Sequence, residues 1–126
     1  MRHKIRFLLV HLAAGTLLKI LGYKPLSLRQ YIKAACKHFG ENPDELAKYV
    51  SDLLKVTGID TILYELHEIV EITQLVRGGA TKDMAHSIAC RYEYVAWRLL
   101  KPFIRSPIAM SDVDFLRHIV YGLKLF

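Results

Sequence analysis

Cysteine is nearly missing from this chain: Cys36 and Cys90 are the only two in 126 residues. Two thiols cannot form the dense disulfide framework of a small secreted domain. A single bridge between them and two thiols packed as small hydrophobes are both open readings. Amide side chains are scarcer still, limited to Gln30, Asn42 and Gln74. Depletion of these thermolabile residues fits a heat-adapted source. Four Pro and seven Gly are scattered rather than clustered, so no flexible linker and no low-complexity tract divides the chain. There is no unbroken apolar run of the roughly 20 residues a membrane span needs. Arg2, Lys4 and Arg6 ahead of the apolar run 7–18 look like a leader, but His11 interrupts the run and Lys19 ends it. No small-x-small cleavage site follows, so an intracellular protein is expected.

Acidic residues are absent from positions 1–40, where eight Lys and Arg stand. Residues 41–75 reverse this with eight acids and two bases, and residues 76–126 return to eight bases and four acids. The net charge of +6 and pI near 9.4 permit a polyanionic partner. Apolar residues make up 52% of the chain, which excludes a disordered, highly charged polymer. At this length one domain is expected, with no need of a disulfide or metal to hold it.

Apolar positions recur at helical spacing almost throughout, and no stretch alternates with a period of two. The expected fold is therefore all-α, a compact single-domain bundle of about six helices. Helix one spans about Lys4–Leu21. Helix two opens on Ser27, with Gln30 completing a capping box, and stops at Gly40. Helix three starts at Asn42-Pro43-Asp44-Glu45, a cap residue, an N1 proline and two acids facing the helix dipole. Helix four covers about Ile59–Arg77. Helix five runs from about Thr81 to Lys101, where Pro102 ends it. Helix six is capped by Ser111 and Asp114.

Helix one is apolar over most of its circumference, with Lys4, His11, Gly15 and Lys19 on one narrow stripe. That pattern predicts a central helix, with Leu9, Leu12, Ala13, Thr16 and Ile20 packed against helices four to six. Small Ala13, Ala14 and Gly15 are expected to allow close helix approach. Truncating Leu12 is then expected to cost about 2–5 kcal/mol. In helix four the same reasoning puts Ile59, Ile62, Leu63, Leu66, Ile69, Val70, Thr73 and Val76 inward. Asp60, Glu65, Glu68 and Glu71 fall on an outer acidic arc together with Tyr64, Ile72 and Leu75. Tyr64, Glu65, Glu68, Ile72 and Leu75 are thus the candidate protein-partner surface.

Enzyme motifs are missing. Gly78-Gly79 lacks the Lys-Ser/Thr of a phosphate loop, and no cysteines stand at zinc spacing. His67 and Glu71 are one turn apart, but the Glu-x-x-His spacing of helical di-metal sites is absent and the carboxylates are read as outward. No catalytic residue, metal, cofactor or small-molecule substrate is expected. A helix-turn-helix reading of helices two and three puts Pro43, Asp44 and Glu45 where the bases would be, and their negative charge opposes it. The stronger pattern is on helix five: Arg91, Tyr94, Arg98, Lys101 and Arg105 fall within an arc of about 80°, with Trp97 at its edge. Cations at this spacing can follow a phosphate backbone, and an interleaved aromatic can stack on a base. Arg29, Lys33 and Lys37 form a second row on helix two. These nine residues are the candidate nucleic-acid surface.

In size, helix content and basic character the chain resembles the small helical subunits of archaeal CRISPR effector complexes, and also the helical coat proteins of archaeal filamentous viruses. The first likeness implies a nucleic-acid-lining role and the second self-assembly. Neither rests on particular residues. Attachment of helix one to an anionic membrane surface is a lesser alternative.

Overall fold

In a computed structural model the described residues run from 2 to 103. They form five α-helices and a terminal 3-10 turn: α1 Arg2–Ile20, α2 Leu28–Phe39, α3 Pro43–Thr57, α4 Asp60–Arg77, α5 Lys82–Leu100 and Lys101–Phe103. Among these residues there is no strand, and no helix is long and apolar enough to cross a membrane. The predicted sixth helix, and with it Ser111 and Asp114, lies outside the described residues, as does Arg105.

The helix ends follow from local chemistry. Ser27 accepts from the Gln30 backbone N–H while the Gln30 side chain accepts from the Ser27 N–H. Asn42 and Glu45 make the same reciprocal pair at the start of α3. Thr81 accepts from the Met84 N–H to open α5. Gly40 closes α2 at φ 69°, a left-handed conformation that favours glycine, and its N–H returns to the Cys36 carbonyl.

Among the described residues the central helix is α4, which packs against the other four helices. Thr61, Leu63, Glu65, Leu66, His67, Ile69, Val70, Ile72 and Thr73 are buried along it. This corrects the expectation for α1, which lies against α3 and α4 and barely meets α5. The buried side of α1 is Phe7, Val10, His11, Ala14 and Leu18. Leu9, Leu12 and Ile20 stand 62%, 60% and 69% exposed, Thr16 is exposed, and Ala13 is half-buried. The physical reason is His11. Its ring pairs with a buried carboxylate of α4, so the middle of the supposed polar stripe turns inward, with Lys4 and Lys19 exposed at its ends, and the opposite apolar face turns out. Gly15 permits no close approach either, since a Cβ there would meet nothing within 4 Å. Ile59 and Val76, expected on the inner face of α4, are also exposed, at 37% and 55%, as are Tyr49 of α3 and Val95 and Leu99 of α5.

The α1–α2 connection carries no regular structure but is tied to α4. Leu26 N–H donates to Thr73 Oγ1 at 3.4 Å, and the Arg77 guanidinium donates to the carbonyls of Lys24 and Pro25 at 2.6 and 3.2 Å. Gln74 Nε2 donates to Tyr23 Oη at 2.9 Å.

Candidate functional sites: basic faces and two buried histidine–carboxylate clusters

The α2 row is on the surface as its spacing predicts. Arg29, Lys33 and Lys37 are all exposed, about 6 Å apart along the axis. None of the three makes an ion pair among the described residues. On α5, Arg91, Arg98 and Lys101 are exposed. The aromatics there serve the cations rather than a free stacking surface. Arg98 lies over the half-buried Tyr94 ring at 5.9 Å and donates to its hydroxyl at 3.2 Å, and Lys101 lies over Trp97 at 5.1 Å. Trp97 is only 8% exposed, so its expected place at the edge of an open basic face is corrected to a core position. A third basic surface was not found from sequence: a groove between α1 and α3 lined by Arg2, Arg6, Lys48 and Lys55, with His3, Ser51 and Asp52. Lys48 and Lys55 sit in the acid-rich segment, and only packing brings them beside the N-terminal arginines.

The predicted partner surface on α4 does not exist as one exposed arc. Glu65 and Ile72 are each 1% exposed, and Tyr64, Glu68 and Leu75 are half-buried. Because α4 is surrounded, the side called outer faces other helices. Tyr64, Glu65 and Glu68 line a cleft with Tyr31, Phe39, Leu46 and Tyr49, while Ile72 and Leu75 border a different groove with Lys37 and His38. The first cleft encloses about 240 Å³, below the usual size of a small-molecule pocket.

Two buried polar clusters sit on α4. In the first, Glu65 receives His11 Nδ1 on Oε2 at 2.8 Å and the Tyr31 hydroxyl on Oε1 at 3.0 Å. Burial pushes the Glu65 carboxyl up, and the His11 and Tyr31 hydrogen bonds pull against it. Burial, with the neighbouring Glu65 charge, holds the Tyr31 phenol well above its ordinary value.

The second cluster joins α4 to α5. The buried His67 ring lies between two carboxylates, Nδ1 to Glu93 Oε1 at 2.6 Å and Nε2 to Glu71 Oε2 at 3.0 Å. His86 of α5 brings Nδ1 to 3.7 Å from the same Glu71 oxygen, and its Nε2 lies 3.5 Å from Cys90 Sγ. Burial opposes charge on His67, but the bonds to Glu71 and Glu93 and the charges of Glu93 and Glu68 outweigh it and raise its pKa to about 10. Glu68 is pushed up to about 7, mainly by burial; His67 lowers it, and the charges of Glu71, Glu65 and Glu93 raise it. Burial raises the Cys90 thiol to about 12, helped by Glu93 and Glu71, so it is not an activated nucleophile. Cys36 and Cys90 are not bridged to each other, since α2 and α5 do not touch, which removes the disulfide left open by the sequence.

The outward reading of Glu65 and Glu71 is thus corrected: Glu65 is buried and Glu71 half-buried, each holding a histidine. His86 and Glu93 carried no usable signal. They come from a second helix, and the i, i+7 spacing between them is common on any helix.

No family model matches the chain, and neither the curated proteins nor the solved structures contain a match.

Proposed function

We propose that this chain is a non-enzymatic subunit that binds the backbone of DNA or RNA without strong sequence preference, as a small component of a larger nucleoprotein assembly of the CRISPR-effector kind. The observation that carries this is the α2 row: three cations one helical turn apart, all exposed, with no acidic partner among the described residues. A row of that kind costs self-repulsion in the free protein and is relieved by a line of phosphates. The exposed Arg91, Arg98 and Lys101 of α5 and the Arg2, Arg6, Lys48, Lys55 groove offer further backbone contacts. Since Trp97 is covered, base stacking falls to Tyr94 at most, and charge dominates the affinity.

The test is fluorescence anisotropy of labelled single-stranded RNA, single-stranded DNA and duplex DNA across salt concentration. Binding weakens steeply with salt, and reversing Arg29, Lys33 and Lys37 to Glu flattens the log–log salt slope on a single strand by about 2, from about 0.7 per phosphate contact. Absence of any salt-sensitive binding at micromolar protein overturns the proposal.

A second reading, self-association, is favoured by the exposed Ile5, Leu9 and Leu12 on one side of α1. Light scattering separates the two: a concentration-independent monomer of 14.5 kDa removes the second reading and leaves the first standing.

A further inference from the structure

His67, Glu71 and His86 bring two imidazole nitrogens and a carboxylate oxygen within 4.8 Å of one another. The separations about Glu71 Oε2 are 3.0 Å to His67 Nε2 and 3.7 Å to His86 Nδ1. Donors held at about 2.0–2.2 Å from one tetrahedral ion stand about 3.3–3.5 Å from each other. The observed pair of distances straddles that value, so small side-chain shifts would seat an ion among the three.

The ring orientation points the same way. A histidine that ligates a metal usually directs its other nitrogen to a carboxylate, which fixes the tautomer and raises the basicity of the ligating nitrogen. Glu93 stands at 2.6 Å from His67 Nδ1 and supplies that support. Access exists as well: the His86 side chain is 27% exposed, while His67 behind it is 9% exposed.

We infer that His67, Glu71 and His86 form a binding site for a divalent transition-metal ion, with Glu93 as the residue that positions His67. Two imidazoles and a single carboxylate suit Zn²⁺, Co²⁺ or Fe²⁺, and do not suit the all-oxygen preference of Mg²⁺ and Ca²⁺. The ion takes the place of the proton shared between His67 Nε2 and Glu71, and that proton leaves to solvent. The ion links α4 to α5 and is independent of the basic faces.

The experiment uses the full chain, with Zn²⁺ titrated under chelator-buffered conditions and Co²⁺ as a spectroscopic probe. Wild type takes up one Zn²⁺ per chain, its thermal midpoint rises with free Zn²⁺, and Co²⁺ develops the visible absorption of a low-coordinate site. His86→Ala loses at least about 100-fold in Zn²⁺ affinity together with the Co²⁺ bands. Glu93→Gln, which leaves all three ligands in place, weakens binding by about 10–100-fold. His38→Ala, at an exposed position on α2, changes neither measurement. If His86→Ala fails to fold by circular dichroism, Glu71→Gln, which keeps the side chain's shape, gives the same readout. No stoichiometric Zn²⁺ uptake by wild type, or uptake that is indifferent to both His86→Ala and Glu71→Gln, overturns the inference and leaves the cluster as an ion-pair network.

Discussion

The two most telling helices are α1 and α4. Between Arg6 and Lys19, α1 carries only His11 as a titratable group, whereas α4 carries Asp60, Glu65, His67, Glu68, Glu71 and Arg77 along its length. Yet α4 is the helix surrounded by the others, and α1 leaves Leu9, Leu12 and Ile20 in water. Centrality here follows from satisfied polar groups rather than from few of them. Glu65 meets His11 and Tyr31, His67 meets Glu71 and Glu93, and Thr73 donates to the Ile69 carbonyl at 2.6 Å. A buried polar group is tolerable when each of its hydrogen bonds is made, and a set of such bonds admits only one arrangement of the helices around it.

The sharpest way to break this contrast is Glu65→Ala. It leaves His11 and the Tyr31 hydroxyl buried without their acceptor, and a denaturant melt is expected to show a loss of about 3–5 kcal/mol, the range for removing one partner of a buried pair. Leu66→Ala, in the fully buried middle of α4, follows with about 2–5 kcal/mol from lost burial and the cavity left behind. Leu12→Ala, in the most apolar part of α1, stays within about 0.5 kcal/mol in the monomer, as surface substitutions do. An effect of several kcal/mol there would overturn the assignment of α4 as the central helix, unless it vanishes on dilution and so reports association.

The smallest effect lies at the N-termini of α1 and α3. Asp44 pairs with His3 Nε2 at 2.8 Å, and that hydrogen bond holds its carboxyl below the usual aspartate value. A carboxyl lowered in this way stabilises the folded chain above the unfolded aspartate pKa, and the contribution is lost as pH falls through the lowered value. An NMR titration of Asp44 is expected to give a midpoint below that of a free aspartate, and His3→Ala should move it back up.

The all-α class and the helix ends were legible because their signals are local. Ser27 with Gln30, Asn42 with Pro43, Thr81, and Gly40 each act over three or four residues. The exposure of Arg29, Lys33 and Lys37 was legible for the same reason, since charged residues at one-turn spacing rarely face a core. The ranking of α1 against α4 was not legible, because it depends on a bond between His11 and Glu65, 54 positions apart. Read alone, a glutamate on α4 marks the wet side; paired with His11 of α1, it marks the dry side. The α4–α5 cluster was hidden in the same way, since His67 and Glu71 gain meaning only when packing brings His86 and Glu93 to them. The basic groove was hidden by charge bookkeeping along the sequence, which assigned Lys48 and Lys55 to an acidic region.

The place of α4 in the chain also has a consequence for synthesis. α1, α2 and α3 are all translated before it, yet the buried sides of α1 and α2 include His11 and Tyr31, whose hydrogen-bond acceptor Glu65 has not yet been made. The Thr73 and Arg77 ties on the α1–α2 connection come later still. At a translation rate of about 5–20 residues per second, the interval from the end of α2 to the end of α4 is about 2–8 s. For that time α1 and α2 have only α3 to pack against, and the sides that will meet α4 stay uncovered, a window in which a chaperone has access to them.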